Sequence, residues 1–240
     1  MSEGAAKTLL ETRALSRRFG GLTAVDTVDF SLPAGQVHAL IGPNGAGKST
    51  FVGMVAGRIL PSAGEIRFDG ADVTALPAHA RIRLGMAYTF QITAIYARLS
   101  LFDNVALALR KRSEPDVLAV LDRVGLADRA YQTAGDLAYG HQRLLEIAMG
   151  IAQKPRLLIL DEPTQGLAES EIEGFKALIG KIRDETTILL IEHNMDVVMA
   201  LADVITVLDA GRVLASGTPA AIRADSRVQE VYLGAAHAQA

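Results

Sequence analysis

Three features of the chain predict an α/β fold built on a phosphate-loop NTPase core. The nine residues Gly42-Pro43-Asn44-Gly45-Ala46-Gly47-Lys48-Ser49-Thr50 fit the pattern Gly-x-x-x-x-Gly-Lys-Ser/Thr. They follow a short apolar, β-prone run, Val37-His38-Ala39-Leu40-Ile41, and precede Phe51-Val52-Gly53-Met54-Val55-Ala56, which can continue as a helix. Further along, Leu157-Leu158-Ile159-Leu160 and Thr187-Ile188-Leu189-Leu190-Ile191 are apolar enough for parallel strands buried on both faces.

In chain order, residues 8 to 38 read as β-rich. Thr27-Val28-Asp29-Phe30-Ser31-Leu32 alternates polar and apolar, and Pro33-Ala34-Gly35 turns the chain into the strand before the glycine-rich loop. Gly64-Glu65-Ile66-Arg67-Phe68-Asp69-Gly70 alternates as well, with glycine at each end, and extends the same antiparallel sheet. Between residues 100 and 153 the period changes. Asp103 to Lys111 and Asp116 to Val124 have helical spacing, broken by Pro115 and Gly125, and His141 to Gln153 is a further helix before Pro155. The α/β pattern resumes at Arg156. Val204 to Leu208 and Arg212 to Ala215 form a hairpin around Asp209-Ala210-Gly211, and the tail from Ala235 is expected to fray. No repeat, low-complexity tract or linker divides the chain, so residues 1–240 are expected to form one domain.

Composition narrows the function classes. Half of the 240 residues are apolar and 21% are charged, which favours a substantial core over disorder. A net charge of −3 gives no support to a nucleic-acid partner. No charged-apolar-small leader occupies Met1 to Leu10 and no apolar run is long enough to span a bilayer, so neither export nor membrane insertion is expected. With no cysteine, the chain has no disulfide or thiolate metal site, which fits a reducing compartment.

The glycine-rich loop carries the chemistry. Its glycines let several backbone N–H groups face one anion, and the following helix N-terminus adds a favourable dipole. Lys48 supplies a mobile positive charge for β- and γ-phosphates, and the Ser49 hydroxyl can ligate Mg²⁺. These residues predict binding of a nucleoside triphosphate. The second half of such a site is Asp161-Glu162, two carboxylates at the C-terminal tip of the apolar run 157–160, the edge where α/β sheets bind ligands. Taken alone, the pair reads equally as an acidic cap on the next helix. Coupled to the phosphate loop, Asp161 is placed to hold Mg²⁺ opposite Ser49, and Glu162 to orient and polarise the attacking water.

Thr89-Phe90-Gln91 after a short strand, Leu137-Ala138-Tyr139-Gly140-His141-Gln142 before a helix, and Ile191-Glu192-His193 after the next strand complete an ordered set. From about Thr8 to Gly234 the chain thereby resembles the ATP-binding subunits of ABC transporters. The resemblance implies a RecA-like P-loop core, an antiparallel β subdomain and an inserted α-helical subdomain over roughly 92–153. It implies ATP and Mg²⁺ as cofactors. By the resemblance, Phe19 stacks on adenine and Val25 lines the same region. Gln91 reaches Mg²⁺ and links nucleotide to the membrane partner, His193 contacts the γ-phosphate, and Gly140 touches the γ-phosphate bound by the opposite subunit. Partners implied are a second ATPase subunit (this chain again or a related one), integral membrane permease subunits and, indirectly, a solute-binding protein. The implied location is the cytoplasmic face of the cell membrane. Arg98-Leu99-Ser100-Leu101-Phe102 is a candidate docking surface for the permease, and equally reads as ordinary helix packing.

Departures from the family pattern sharpen the resemblance. The general signature Leu-Ser-Gly-Gly-Gln is here Leu137-Ala138-Tyr139-Gly140-His141, so no serine hydroxyl can reach the γ-phosphate. Ala168 stands where the family often has an aspartate after Gly166-Leu167, which puts the usual aspartate-mediated crosstalk between the two ATP sites in doubt. The Leu-Ala-Tyr-Gly form is similar to the importers of branched-chain amino acids. So are Arg18-Phe19-Gly20-Gly21-Leu22, Arg143 to Ala148, Glu192 to Met199, Gly217-Thr218-Pro219 and Tyr232-Leu233-Gly234. Importers of urea, amides or aromatic acids remain open within this group. So does a lipid or lipopolysaccharide exporter, suggested by Leu76 to Arg81, and, further off, a soluble ABC ATPase.

Overall fold

Two hydrophobic periods sort the chain into two sheets. The structure, a computed structural model, describes residues 7–89, 94–109 and 113–237. In the alternating N-terminal segment, β1 (Thr8–Phe19) and β2 (Leu22–Pro33) form a hairpin turned at Gly20-Gly21. Strands β4 (Ala63–Phe68) and β5 (Ala71–Asp72) join them in an antiparallel sheet ordered β2-β1-β4-β5. Leu10 pairs with both Leu32 and Phe68, which puts the apolar residues of three strands on one face.

The more continuously apolar runs supply the centre of the second sheet. It comprises β3 (Val37–Ile41), β6 (Met86–Thr89), β7 (Leu157–Asp161), β8 (Thr187–Ile191), β9 (Val204–Asp209) and β10 (Arg212–Gly217) in the order β10-β9-β3-β8-β7-β6. All pairings are parallel except that of β10 with β9. Every residue of β3, β7 and β8 is buried. The pleat divides them: Leu158, Leu160, Ile188 and Leu190 face a helical layer, while Leu157, Ile159, Leu189 and Ile191 face the antiparallel sheet.

The helices are α1 (Lys48–Val55), α2 (Ala78–Arg83), α3 (Leu101–Ala108), α4 (Glu114–Arg123), α5 (Tyr139–Ala152), α6 (Glu169–Ile182), α7 (Met195–Leu201), α8 (Pro219–Ala224) and α9 (Ser226–His237). In the helical layer, Leu101 and Val105 of α3, Val117 and Leu121 of α4 and Leu145 of α5 share one core with Phe175 and Ile179 of α6. Each such side chain contributes about 2 kcal/mol by leaving water. Serines start two of these helices: Ser100 Oγ accepts from the Asp103 N–H at 3.0 Å, and Ser113 Oγ from the Asp116 N–H at 3.4 Å.

One reading needs correction. Pro115 does not break a helix; it lies in the first turn of α4, where an N–H has no intrahelical partner to lose. The helical assignment also reaches past Ala235, since α9 runs to His237. Arg81 of α2, indistinguishable in sequence from a surface arginine, is 1% exposed. Its guanidinium donates to the carbonyls of Met54, Val55, Thr74 and Leu76, closing the C-terminal end of α1. Burial pulls its pKa down to about 10. Among the described residues no helix is long and apolar enough to cross a membrane.

Candidate functional site

Parallel strands in register deliver their C-terminal ends to one edge. Leu40 of β3 and Asp161 of β7 both pair with Ile191 of β8, so the loops after these three strands emerge together. Those loops carry the phosphate loop, Glu162 and His193 respectively.

The loop from Gly42 to Gly47 is tight because glycine occupies the positions where no side chain fits. A methyl at Gly42 would come 2.2 Å from the Leu208 carbonyl oxygen, and one at Gly47 2.3 Å from that of Ala24. Gly47 also holds φ at 98°, a region that side chains rarely adopt. Pro43 is half-buried, Asn44 and Gly45 are exposed, and Ala46 is packed into the core below them. The Ala46 carbonyl accepts from the Gly211 N–H at 3.1 Å, fastening the loop to the β9–β10 turn. Lys48 opens α1, 7% exposed, and its ammonium donates to the carbonyls of Gly42 at 2.6 Å and Pro43 at 3.1 Å. Burial lowers its pKa, opposed by the nearby charges of Glu162 and Asp161. Ser49 is exposed and Thr50 half-buried, on the next positions of the helix.

Asp161 is buried at the end of β7 and accepts a 2.6 Å hydrogen bond from the Tyr88 hydroxyl of β6. Burial raises its pKa, and the Tyr88 bond acts against that rise. Tyr88 is pushed well above the ordinary phenol value, by burial first and by Asp161 second. Arg58 donates to the same hydroxyl at 3.2 Å. Glu162 follows with φ at 49°, unusual for a residue with a side chain and costing about 1 kcal/mol. Its N–H donates to the Ile191 carbonyl at 2.9 Å, extending the β7–β8 ladder by one bond past Asp161. His193 is exposed beyond β8, and Asn194 caps α7 beside it.

The remaining expected positions fall as follows. Phe19 is 44% exposed at the tip of the β1–β2 hairpin, with the Arg17 guanidinium 4.4 Å from its ring. Val25 has no exposed surface; it supports the loop from beneath, its Cγ2 3.4 Å from where a Gly47 methyl would sit. Gly140 is buried in the first turn of α5, under the Glu171 carboxylate of α6, so that a methyl there would meet Glu171 Oε1 at 2.0 Å. The neighbouring Tyr139 is half exposed and packs over Gly166 of the Glu162 loop. Gln91 lies outside the described residues.

A triphosphate fits this edge: backbone N–H groups, a lysine and a helix N-terminus converge on the loop, with carboxylates opposite. The described residues hold no cluster of three or more His, Cys, Asp or Glu side chains suited to a metal. The oxygen donors of Ser49 and Asp161 suit a hard cation that takes its other ligands from water and phosphate.

Tyr88, Thr164, Glu171 and Glu192 were not legible as contributors, since each acts through a contact distant in sequence. The alternation within Met86-Ala87-Tyr88-Thr89 was the sole hint for Tyr88.

Comparison with known proteins agrees with the geometry. Residues 25–165 match the ABC transporter family, and residues 212–238 match the family described as branched-chain amino acid ATP-binding cassette transporter. The chain is 39% identical to the high-affinity branched-chain amino acid transport ATP-binding protein BraF of Pseudomonas aeruginosa, covering 96% of this chain and 100% of the relative. It is 36% identical to the Escherichia coli protein LivG, described in the same words, with the same coverage. Among solved structures, the ADP conformation of an ATP-binding cassette of an ABC transporter superposes with a TM-score of 0.86 at 25% identity, covering 95% of this chain and 99% of that one.

Proposed function

The chain belongs to the ABC transporter family of ATP-binding subunits, and from that premise we propose that its ATP hydrolysis drives import of branched-chain amino acids. Lys48, Asp161, Glu162 and His193 at one sheet edge carry the hydrolytic half of this reading. The match over residues 212–238 and the relatives' transport of branched-chain amino acids carry the solute half.

The backbone N–H groups of Gly45 to Ser49 cradle the β-phosphate, and Lys48 exchanges its two carbonyl contacts for phosphate oxygens. The adenine ring stacks on the exposed Phe19. Mg²⁺ held by Ser49, Asp161 and Gln91 would neutralise charge between the β- and γ-phosphates. Tyr88 fixes the rotamer of the Asp161 carboxylate. Glu162, presented by its left-handed backbone, orients the water for in-line attack, and His193 steadies the γ-phosphate.

The site is half of a composite. Gly140 belongs to a loop that completes the site of a second ATPase subunit, arranged head to tail, and ATP favours the closed pair. Glu171 must swing off Gly140 for that contact to form. The helical layer within 92–153 passes the movement to permease subunits through Arg98 to Phe102, where Leu99 is exposed and Phe102 stacks on Tyr131 with ring centroids 5.6 Å apart. The subunit accordingly works at the cytoplasmic face of the membrane, with a solute-binding protein on the other side.

Reconstitution with candidate permease and solute-binding proteins tests the reading. Leucine, isoleucine or valine should stimulate ATP hydrolysis and accumulate in the vesicles. Stimulation by urea, aromatic acids or a lipid alone would overturn the assigned solute.

A further inference from the structure

Glu192 is the residue directly after β8, with no exposed surface, and no lysine or arginine pairs with it among the described residues. A carboxylate in that position is costly unless every lone pair finds a donor. Four do, and they divide by loop. Oε1 accepts from the Thr164 N–H at 2.9 Å and from the Thr164 hydroxyl in a short hydrogen bond. Oε2 accepts from the N–H of His193 at 3.0 Å and of Asn194 at 3.2 Å. Thr164 stands two residues beyond Glu162, and His193 is the residue next to Glu192 itself.

We propose that Glu192 is a positioning residue for hydrolysis, one buried carboxylate that holds the Glu162 loop and the His193 loop in register, one oxygen to each. The proposal rests on the reading above that Glu162 and His193 both serve the γ-phosphate. The contact with His193 is through its backbone, since the imidazole Nδ1 lies 4.0 Å from Oε2, beyond a hydrogen bond.

The donor pattern explains why the residue is acidic. Both oxygens must be acceptors, and only an ionised carboxylate offers two. In Glu192→Gln, nearly the same in shape, an amide nitrogen turned to the His193 loop would oppose two N–H groups, and one turned to Thr164 would oppose its N–H while the Thr164 hydroxyl could accept from it. That variant therefore weakens one tether while keeping the packing. Thr164→Val removes the hydroxyl donor alone and leaves three of the four bonds.

The experiment compares steady-state ATP hydrolysis, fluorescent-ATP affinity and melting temperature for the full chain, Glu192→Gln and Thr164→Val. Because displacing a reacting group by about 1 Å can cost about a hundredfold in rate, Glu192→Gln should lower kcat at least about tenfold. KM and nucleotide affinity should stay within about twofold, since the phosphate loop is untouched. Thr164→Val should lower kcat about threefold with little change in melting temperature. Parental kcat in Glu192→Gln overturns the proposal, as does a joint decline of kcat, affinity and melting temperature in both variants, which marks general loosening. If Glu192→Gln does not fold, parental kcat in Thr164→Val overturns it. Glu162→Gln assayed alongside separates the two readings: its inactivity with an unaffected Glu192→Gln removes the positioning role alone, whereas full activity of Glu162→Gln removes the assigned base.

Discussion

A buried histidine in β3, the strand that leads into the phosphate loop, makes stability depend on pH in a calculable way. His38 is the second residue of β3, 2% exposed, with its ring centroid 4.6 Å from that of Phe30. Its Nε2 and the Thr206 hydroxyl are 2.8 Å apart, and that hydroxyl is 2.9 Å from Ser216 Oγ. Nδ1 is buried without a partner. A proton there would place an unpaired charge in the core, and burial accordingly lowers the pKa from 6.5 to about 4. The folded value lies below the unfolded one, so protons favour the unfolded chain. The penalty is absent above pH about 6.5, grows as pH falls, and is complete below about 4. Linkage with these two values gives a loss of about 1.4 kcal/mol by pH about 5.5 and about 2.5 kcal/mol by pH about 4.5. Urea unfolding of the parent and of His38→Gln, which cannot titrate, measures the difference. Between pH about 7.5 and about 4.5 the parent should lose about 2.5 kcal/mol more than the variant. Equal pH dependence in the two proteins would refute the buried neutral histidine.

Other perturbations test the site and its support. Glu162→Gln should keep ATP affinity, lower kcat at least about a hundredfold and trap the closed pair, read by ATPase assay and size-exclusion chromatography; parental turnover removes Glu162 as the base. Lys48→Ala should weaken fluorescent-ATP binding at least about tenfold, and unchanged affinity counts against the assigned loop. Gly47→Ala drives a methyl against the Ala24 carbonyl at 2.3 Å and should abolish nucleotide binding while lowering stability by about 2 kcal/mol or more in urea. Arg81→Met should cost about 3 kcal/mol, because carbonyls of Met54, Val55, Thr74 and Leu76 lose their donor, and a melting temperature within about 2 °C of the parent would show that these bonds are dispensable.

Legibility followed the range of the signal. Strands β7 and β8 were readable because burial on both faces writes itself as an unbroken apolar run, and the phosphate loop because its constraints fall on consecutive residues. What the sequence concealed were contacts between distant residues of ordinary type. Nothing in Met86-Ala87-Tyr88-Thr89 announces that Tyr88 will bond Asp161, 73 positions away. Likewise, α2 offers both Arg81 and Arg83, and burial of the first depends on where the end of α1 happens to lie. Pro115 misled because proline breaks a helix from within yet suits its first turn, a distinction of two residues.

The pleat of β7 and β8 has a consequence for how such a protein changes over time. Residues 157, 159, 189 and 191 pack in one compartment and 158, 160, 188 and 190 in another, so the central sheet is a party wall between two neighbouring rooms. A substitution that repacks the helical room meets side chains of one parity only, and the room behind the phosphate loop keeps its furniture. Inherited drift can thus repack one side of the wall while the other stays as it was.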